Sequence, residues 1–170
     1  LLGIEPAVKP AAQNHRGEKV AVMATPLTLH EEKFKQLVKR YENLATIIPV
    51  PCPDLVEYVE KGILEGPELE GYLKDVLTPC LQEGVKAVVL GCTHFPLVKA
   101  AIGKVVGESV RIYDGGEGTA RQAKCLLAAK NLCTDQEKGH ICFESSAPEK
   151  EAYYEALYRK AAHIDSRVKL

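Results

Sequence analysis

An α/β fold built on a doubly wound, mostly parallel sheet is the class that this 170-residue sequence predicts. Two near-continuous apolar runs, residues 19–24 and 85–90, read as strands, the first of the kind found where both faces of a parallel sheet are covered. Segments of helical spacing alternate with strand-like ones along the whole chain. Gly, Pro and capping patterns punctuate the changes, and right-handed crossovers follow from that order.

Taken in order, Leu1 to Ile4 read as the tail of a strand. The two prolines of Glu5-Pro6-Ala7-Val8-Lys9-Pro10 break it and predict a turn or short linker. The strand at 19–24 is closed by Thr25-Pro26-Leu27-Thr28. From His30 to Tyr41 the residues Phe34, Leu37, Val38 and Tyr41 fall at i, i+3, i+4 and i+7, one face of an amphipathic helix. Residues 45–50 are the next strand, and Pro51-Cys52-Pro53-Asp54 ends it. Leu55 to Lys61 make a short helix stopped by Gly62. Pro67 opens a longer one, in which Leu69, Leu73, Val76, Leu77, Cys80 and Leu81 keep helical spacing and Pro79 predicts a kink or weakened last turns. After the strand at 85–90 come a helix from Leu97 to Val106, a strand at 110–113, the D-x-x-E capping pattern of Asp114 and Glu117, and a helix to Leu132. The last unit repeats this logic with a strand at 141–143, a capping pattern in Ser146 and Glu149, and a helix carrying Tyr153, Tyr154, Leu157 and Tyr158.

Composition narrows the function. Hydrophobic residues make up 46% of the chain, enough for a genuine core. A net charge of −1 with interspersed signs leaves no electrostatic footprint for nucleic acid or an anionic membrane, so small solutes and proteins are the expected partners. No apolar run approaches the roughly 20 residues that span a bilayer, and the first residues lack the order of a signal peptide. A cytoplasmic protein is expected. The six cysteines, 52, 80, 92, 125, 133 and 142, are too dispersed for a compact disulfide framework and include no C-x-x-C pair. Most are expected as reduced core thiols. The chain opens on Leu1 and its one methionine is Met23, which reads as a piece of something longer.

Gly91-Cys92-Thr93-His94-Phe95-Pro96 follows the apolar run at 85–90 directly and precedes a helix. A thiol and an imidazole therefore sit at a strand's carboxyl end, where open α/β sheets place their ligands. A helix beginning just beyond offers free N–H groups that favour an anion, a thiolate included. Alternate residues of such a loop can project to one side, so Cys92 and His94 can act as nucleophile and base, as metal ligands, or as a proton-transferring pair. Metal is the weakest of these, because two ligands have no third nearby. A buried strand-end thiol beside a solvent-facing imidazole is the bland alternative; Thr93 between them and Pro96 after them argue for a shaped loop. Thr25 and Thr28 form a T-x-x-T pattern at the end of the first full strand, able to hold a carboxylate. Thr28 can equally be the N-cap of the helix near His30, with Glu31 completing T-x-x-E. Glu57 and Glu60 are more often solvated charges than catalytic acids, Cys52 more often core than nucleophile, and Cys133, His140 and Cys142 are too irregularly spaced for a metal site.

Leu90-Gly91-Cys92-Thr93-His94-Phe95-Pro96-Leu97 resembles the second catalytic signature of bacterial glutamate racemases, members of the aspartate/glutamate racemase superfamily. The likeness extends over essentially the whole chain, through Leu2-Gly3-Ile4-Glu5-Pro6, Met23-Ala24-Thr25-Pro26-Leu27-Thr28, Cys52-Pro53 with Val59-Glu60, residues 112–117 and residues 143–149. The resemblance implies an isomerase that interconverts L- and D-glutamate for peptidoglycan without a cofactor or metal. One cysteine thiolate removes the α-proton while a thiol on the opposite face returns one. It makes Cys92 the second of those cysteines and His94 its aid in ionisation or proton exchange. Thr93 and His94 would contact substrate, Glu60 would line the site, and Thr25 and Thr28 would face the substrate carboxylate.

The family's other cysteine lies in an Ala-Cys-Asn-Thr segment upstream of the position of Leu1, and no other cysteine here sits in that pattern. On the family's two-lobe plan, residues 1–18 are an interlobe linker, 19–106 a complete α/β lobe carrying Cys92, and 107–170 the strands and helices that complete the first lobe, most of which lies upstream. These residues alone are expected to be inactive and, with apolar faces left open, to associate. The expected partners are glutamate, the missing amino-terminal lobe of the same protein and a second copy in a homodimer; nucleic acid and membrane are not expected. Aspartate and hydantoin racemases share the scaffold, but the histidine after Cys-Thr favours the glutamate branch. A non-catalytic binding or regulatory module is the alternative from another class.

Overall fold

The computed structural model describes residues 3–134 and 139–167. Residues Glu5–Gly115 form one compact unit, and the chain from Gly116 onward belongs to another. In the first unit, β1 (Lys19–Ala24), β2 (Thr46–Pro51), β3 (Ala87–Leu90) and β4 (Arg111–Tyr113) form one sheet in the order β2-β1-β3-β4, with every neighbouring pair parallel. The crossovers carry α1 (Val8–Asn14) ahead of β1, α2 (Pro26–His30) and α3 (Glu32–Tyr41) after it, α4 (Leu55–Glu60) and α5 (Pro67–Gln82) after β2, and α6 (Lys99–Val106) after β3. The second unit holds α7 (Gly116–Ala129) and α8 (Glu151–Arg167).

The central strands β1 and β3 are almost wholly apolar because both of their faces are covered. Val20, Val22, Ala87 and Val89 join Val8, Ala11 and Ala12 of α1 and Phe34 and Leu37 of α3 in one buried cluster. Ala21, Met23, Val88 and Leu90 are just as buried, and the strand period of two turns them to the opposite face. There α5, which packs on β2 and on α6, buries Leu69, Leu73 and Leu77. The sheet is thus doubly wound, as its alternating elements predict.

Several local expectations are corrected. The stretch expected as a turn or linker after Pro6 is the helix α1, whose Val8, Ala11 and Ala12 are wholly buried at i, i+3 and i+4. Pro10 is its third residue, within the first turn, where a missing N–H costs nothing. The helix expected from His30 is two helices, parted at the extended residue Glu31 (φ −66°, ψ 139°). Thr28 is not its N-cap: Thr25 caps α2, its side chain accepting the Thr28 N–H. The helix α5 continues past Pro79 to Gln82. Residues 95–98 form a 3-10 turn ahead of α6.

Toward the carboxyl end, no strand forms at 141–143, where Ile141 is 65% exposed. A strand exists only where a neighbour takes its N–H and C=O groups, and none of the described strands pairs with this segment. The capping pattern assigned to Ser146 and Glu149 is carried instead by Ser145 and Glu151. The Ser145 N–H donates to the Glu151 carboxylate at 3.1 Å, and Ser145 Oγ accepts the Ala147 N–H at 3.1 Å. The strand tail read at Leu1 to Ile4 falls partly outside the described residues, and Gly3 and Ile4 carry no strand. No helix among the described residues is long and apolar enough to cross a membrane.

One glycine sets how closely the central strands end. The Gly91 N–H donates to Met23 O at 2.7 Å, and a Cβ built on Gly91 would lie 2.7 Å from that same oxygen and 3.2 Å from Ala24 Cβ. Backbone cannot yield as a flexible side chain does. Gly91→Ala is expected to destabilise the unit by about 1–3 kcal/mol through overpacking, read as a lower urea midpoint; an unchanged midpoint would show that the strand ends have room.

Candidate active site at the carboxyl ends of the central strands

The connection leaving β1 runs to β2 on one side, and the connection leaving β3 runs to β4 on the other. The crevice outside the carboxyl ends of β1 and β3 is therefore the switch point at which open α/β sheets bind ligands. Thr25 and Cys92 each stand two residues past the Met23–Leu90 register pair, so both are delivered to that end of the sheet.

Cys92 is half-buried, and its Sγ lies 3.8 Å from His94 Nδ1. His94 Nε2 lies 3.0 Å from Glu60 Oε1. An ionised carboxylate only accepts, so Nε2 must carry the proton in this pair. In the neutral ring that leaves the Nδ1 lone pair facing the Cys92 thiol, and in the protonated ring it leaves an Nδ1–H facing a thiolate. Either way the three side chains form a path along which a proton can move between sulfur and nitrogen. His94 and Glu60 are about one-third and two-fifths exposed, a setting in which ion pairs add little stability; the contact orients the ring.

Local structure explains how these groups meet. Phe95, wholly buried, anchors the loop, and its N–H donates to Cys92 O at 3.2 Å, while the Leu97 N–H donates to His94 O at 3.1 Å. Helix α4 packs on this 3-10 turn. Leu55 and Val59 bury one side of α4, and Glu60 is its last residue. In the sequence Glu60 reads only as a solvated charge or a site-lining acid, because its partner is 34 residues away.

Thr25 and Thr28 are half-buried, with their hydroxyl oxygens 3.0 Å apart. Their T-x-x-T spacing thus brings two hydroxyls together at the end of β1. Thr93 is exposed. Two further pairings carried no sequence signal: Lys99 Nζ donates to Asp114 Oδ2 at 3.0 Å, and the Tyr72 hydroxyl accepts the Asp54 N–H at 3.3 Å. Among the described residues, no three His, Cys, Asp or Glu side chains gather as metal ligands.

The other thiols divide sharply. Cys52 follows β2, its N–H donating to Ala24 O at 2.9 Å and its Sγ to Val50 O at 3.4 Å. Burial, then neighbouring Cys80, then more weakly Cys92 push its thiol up to about 12, against a hydrogen bond from the Ala24 backbone. Burial likewise pushes the Cys80 thiol up. Both are core groups, as expected for Cys52. Cys125, Cys133 and Cys142 are exposed, contrary to the expectation that most thiols lie in the core. The segments around them pack too little to bury them. Within the first unit, Cys92 alone among the thiols reaches solvent.

The chain is thus of the parallel, doubly wound α/β class, with a thiol, an imidazole and a carboxylate in file at its switch point. More particularly, the chain belongs to the Asp/Glu/hydantoin racemase family, whose model matches residues 1–123. The glutamate racemase of Clostridium kluyveri is 47% identical over 138 residues, 81% of this chain and 53% of that protein. That of Clostridium perfringens is 43% identical over 151 residues, 88% of this chain and 58% of the relative. The crystal structure of Escherichia coli glutamate racemase in complex with L-glutamate and the activator UDP-MurNAc-Ala matches with a TM-score of 0.74 at 30% identity, covering 93% of this chain and 60% of that one. Thermus thermophilus glutamate racemase in complex with beta-chloro-D-alanine matches with a TM-score of 0.62 at 29% identity, covering 90% and 56%. The chain spans about half the length of the curated relatives it matches.

The buried thiol gives a pH dependence. Folded, Cys52 keeps its proton to about pH 12; unfolded, it releases it near the ordinary 9.0. Its contribution to stability is therefore complete below pH 9 and is lost as pH rises toward 12. Tyr72, pushed up to about 12 chiefly by burial, adds to the same loss from about pH 10. The urea midpoint should fall above pH 9, and less steeply in Cys52→Ala; equal slopes would contradict the burial of this thiol.

Proposed function

We propose that these residues form one half of the active site of a cofactor-independent glutamate racemase, supplying D-glutamate for peptidoglycan. The observation that carries this reading is the file Cys92–His94–Glu60 at the switch point of a chain 47% identical to a glutamate racemase. Cys92 is the base for one enantiomer and the acid for the other. In one direction the Cα–H bond breaks as an S–H bond forms on Cys92, and a thiol on the opposite face gives its proton to the planar carbanion. His94 relays the Cys92 proton and, with Thr93, contacts substrate. Thr25 and Thr28 receive the substrate carboxylate, and Glu60 lines the site and holds His94.

In this reading the opposing cysteine comes from an upstream lobe of the same protein; of residues 107–170, expected to complete that lobe, β4 joins the sheet of the first unit, and the part from Gly116 onward is left to do so. The half-length match supports that plan. So does α7, which buries no residue and leaves Leu126 and Leu127 41% and 45% exposed. Substrate and the upstream lobe are the partners; a second copy of the chain is a further one.

Circular dichroism of L-glutamate tests the reading. The 170-residue chain alone should leave the signal unchanged. Joined to the amino-terminal remainder of the Clostridium kluyveri relative it should racemise glutamate, and Cys92→Ala should slow that by about 10²–10⁴-fold, the usual worth of a positioned acid or base. Racemisation that survives Cys92→Ala would contradict it.

A further inference from the structure

Tyr72 on α5 takes no part in the proton path, yet it grips the element that carries Glu60. Its hydroxyl accepts the Asp54 N–H at 3.3 Å, and its ring stands 5.2 Å from that of Tyr58 at a 39° tilt. Asp54 immediately precedes α4, and its own side chain makes no capping bond. The Tyr72 hydroxyl, supplied from a neighbouring helix, therefore occupies one of the N–H groups at the start of α4 that a capping side chain would otherwise take.

This matters because α4 has six residues, too few to persist as a helix without tertiary contacts. Its anchors include Leu55 and Val59 in the core, its packing on the 3-10 turn at 95–98, Tyr58 against the Tyr72 ring, and the Asp54 N–H on the Tyr72 hydroxyl. Glu60 lies at the far end, about 8 Å from the start at 1.5 Å per residue. A tilt of the first turn is transmitted along so short a rigid rod to the carboxylate. The Glu60–His94 contact of 3.0 Å has little tolerance for that displacement.

We infer that Tyr72 is a positioning residue for the Cys92 site, holding α4 so that Glu60 reaches His94 and His94 presents Nδ1 to the thiol. The inference rests on reading Cys92, His94 and Glu60 as a proton-transfer group, but its test needs no racemisation. Alkylation of Cys92 by iodoacetamide, followed by peptide mass spectrometry of the 170-residue chain at neutral pH, reports how well the thiol is served. Cys52 and Cys80 report whether the fold has opened.

Glu60→Gln and Tyr72→Phe should each slow Cys92 alkylation, by about twofold to tenfold, the scale of one lost hydrogen bond. The double variant should be no slower than Glu60→Gln alone, and Cys52 and Cys80 should stay protected in all three. An unchanged rate in Tyr72→Phe beside a slowed Glu60→Gln would overturn the positioning role and leave the proton path standing. An unchanged rate in Glu60→Gln would overturn both. Multiplying losses in the double variant, or Cys52 and Cys80 becoming reactive in Tyr72→Phe, would assign the hydroxyl to general support of the fold and defeat the inference. A racemisation failure with these couplings intact would count against the reaction and not against Tyr72.

Discussion

The hydrogen bond from the Gly91 N–H to Met23 O, 2.7 Å long, is the constraint on which the site depends. It closes the end of β3 against the end of β1 at the point where the chain leaves the sheet, and it requires a residue without a side chain. Cys92 is the next residue. Every distance from its sulfur to another group is therefore referred to the rigid central pair of a sheet covered on both faces, and not to a free loop. Phe95, sunk in the core three residues on, fixes the other end of the turn.

From that fixed point the chemistry follows by elimination of roles. Glu60, as a carboxylate, can only accept, so His94 must donate from Nε2, and Nδ1 is left to the sulfur. The carboxylate adds little stability at its exposed position. Its work is orientation, which is why the elements that place α4 bear on a thiol carried by a different crossover. Core thiols cannot substitute: burial keeps Cys52 protonated far above neutral pH.

What could be read in the sequence was whatever is contiguous. The strands at 19–24 and 85–90 announced themselves because two covered faces demand unbroken apolar runs, and Cys92 and His94 because they sit two residues apart at a strand end. The helix α1 was hidden because Pro6 and Pro10 dominate a short segment, although Pro10 falls in the first turn, where proline does no harm. Thr25 and Thr28 both satisfy the local capping rule, so the sequence shows the pair without its capping member, and only the backbone at Glu31 decides where the helix breaks. The segment at 141–143 has strand-like residues, but pairing, not composition, makes a strand. The Glu60–His94 contact joins two crossovers and the Tyr72 grip on Asp54 joins two helices of one crossover, and no local pattern encodes either.

The arrangement of the imidazole is the point at which fold and chemistry meet, and it can be observed directly. Nitrogen-15 NMR of the histidine-labelled chain should find the His94 ring with a proton on Nε2, and with Nδ1 responding to replacement of the Cys92 sulfur by Cys92→Ser. A neutral ring protonated on Nδ1, with Nε2 bare beside Glu60, would contradict the proton path from Cys92.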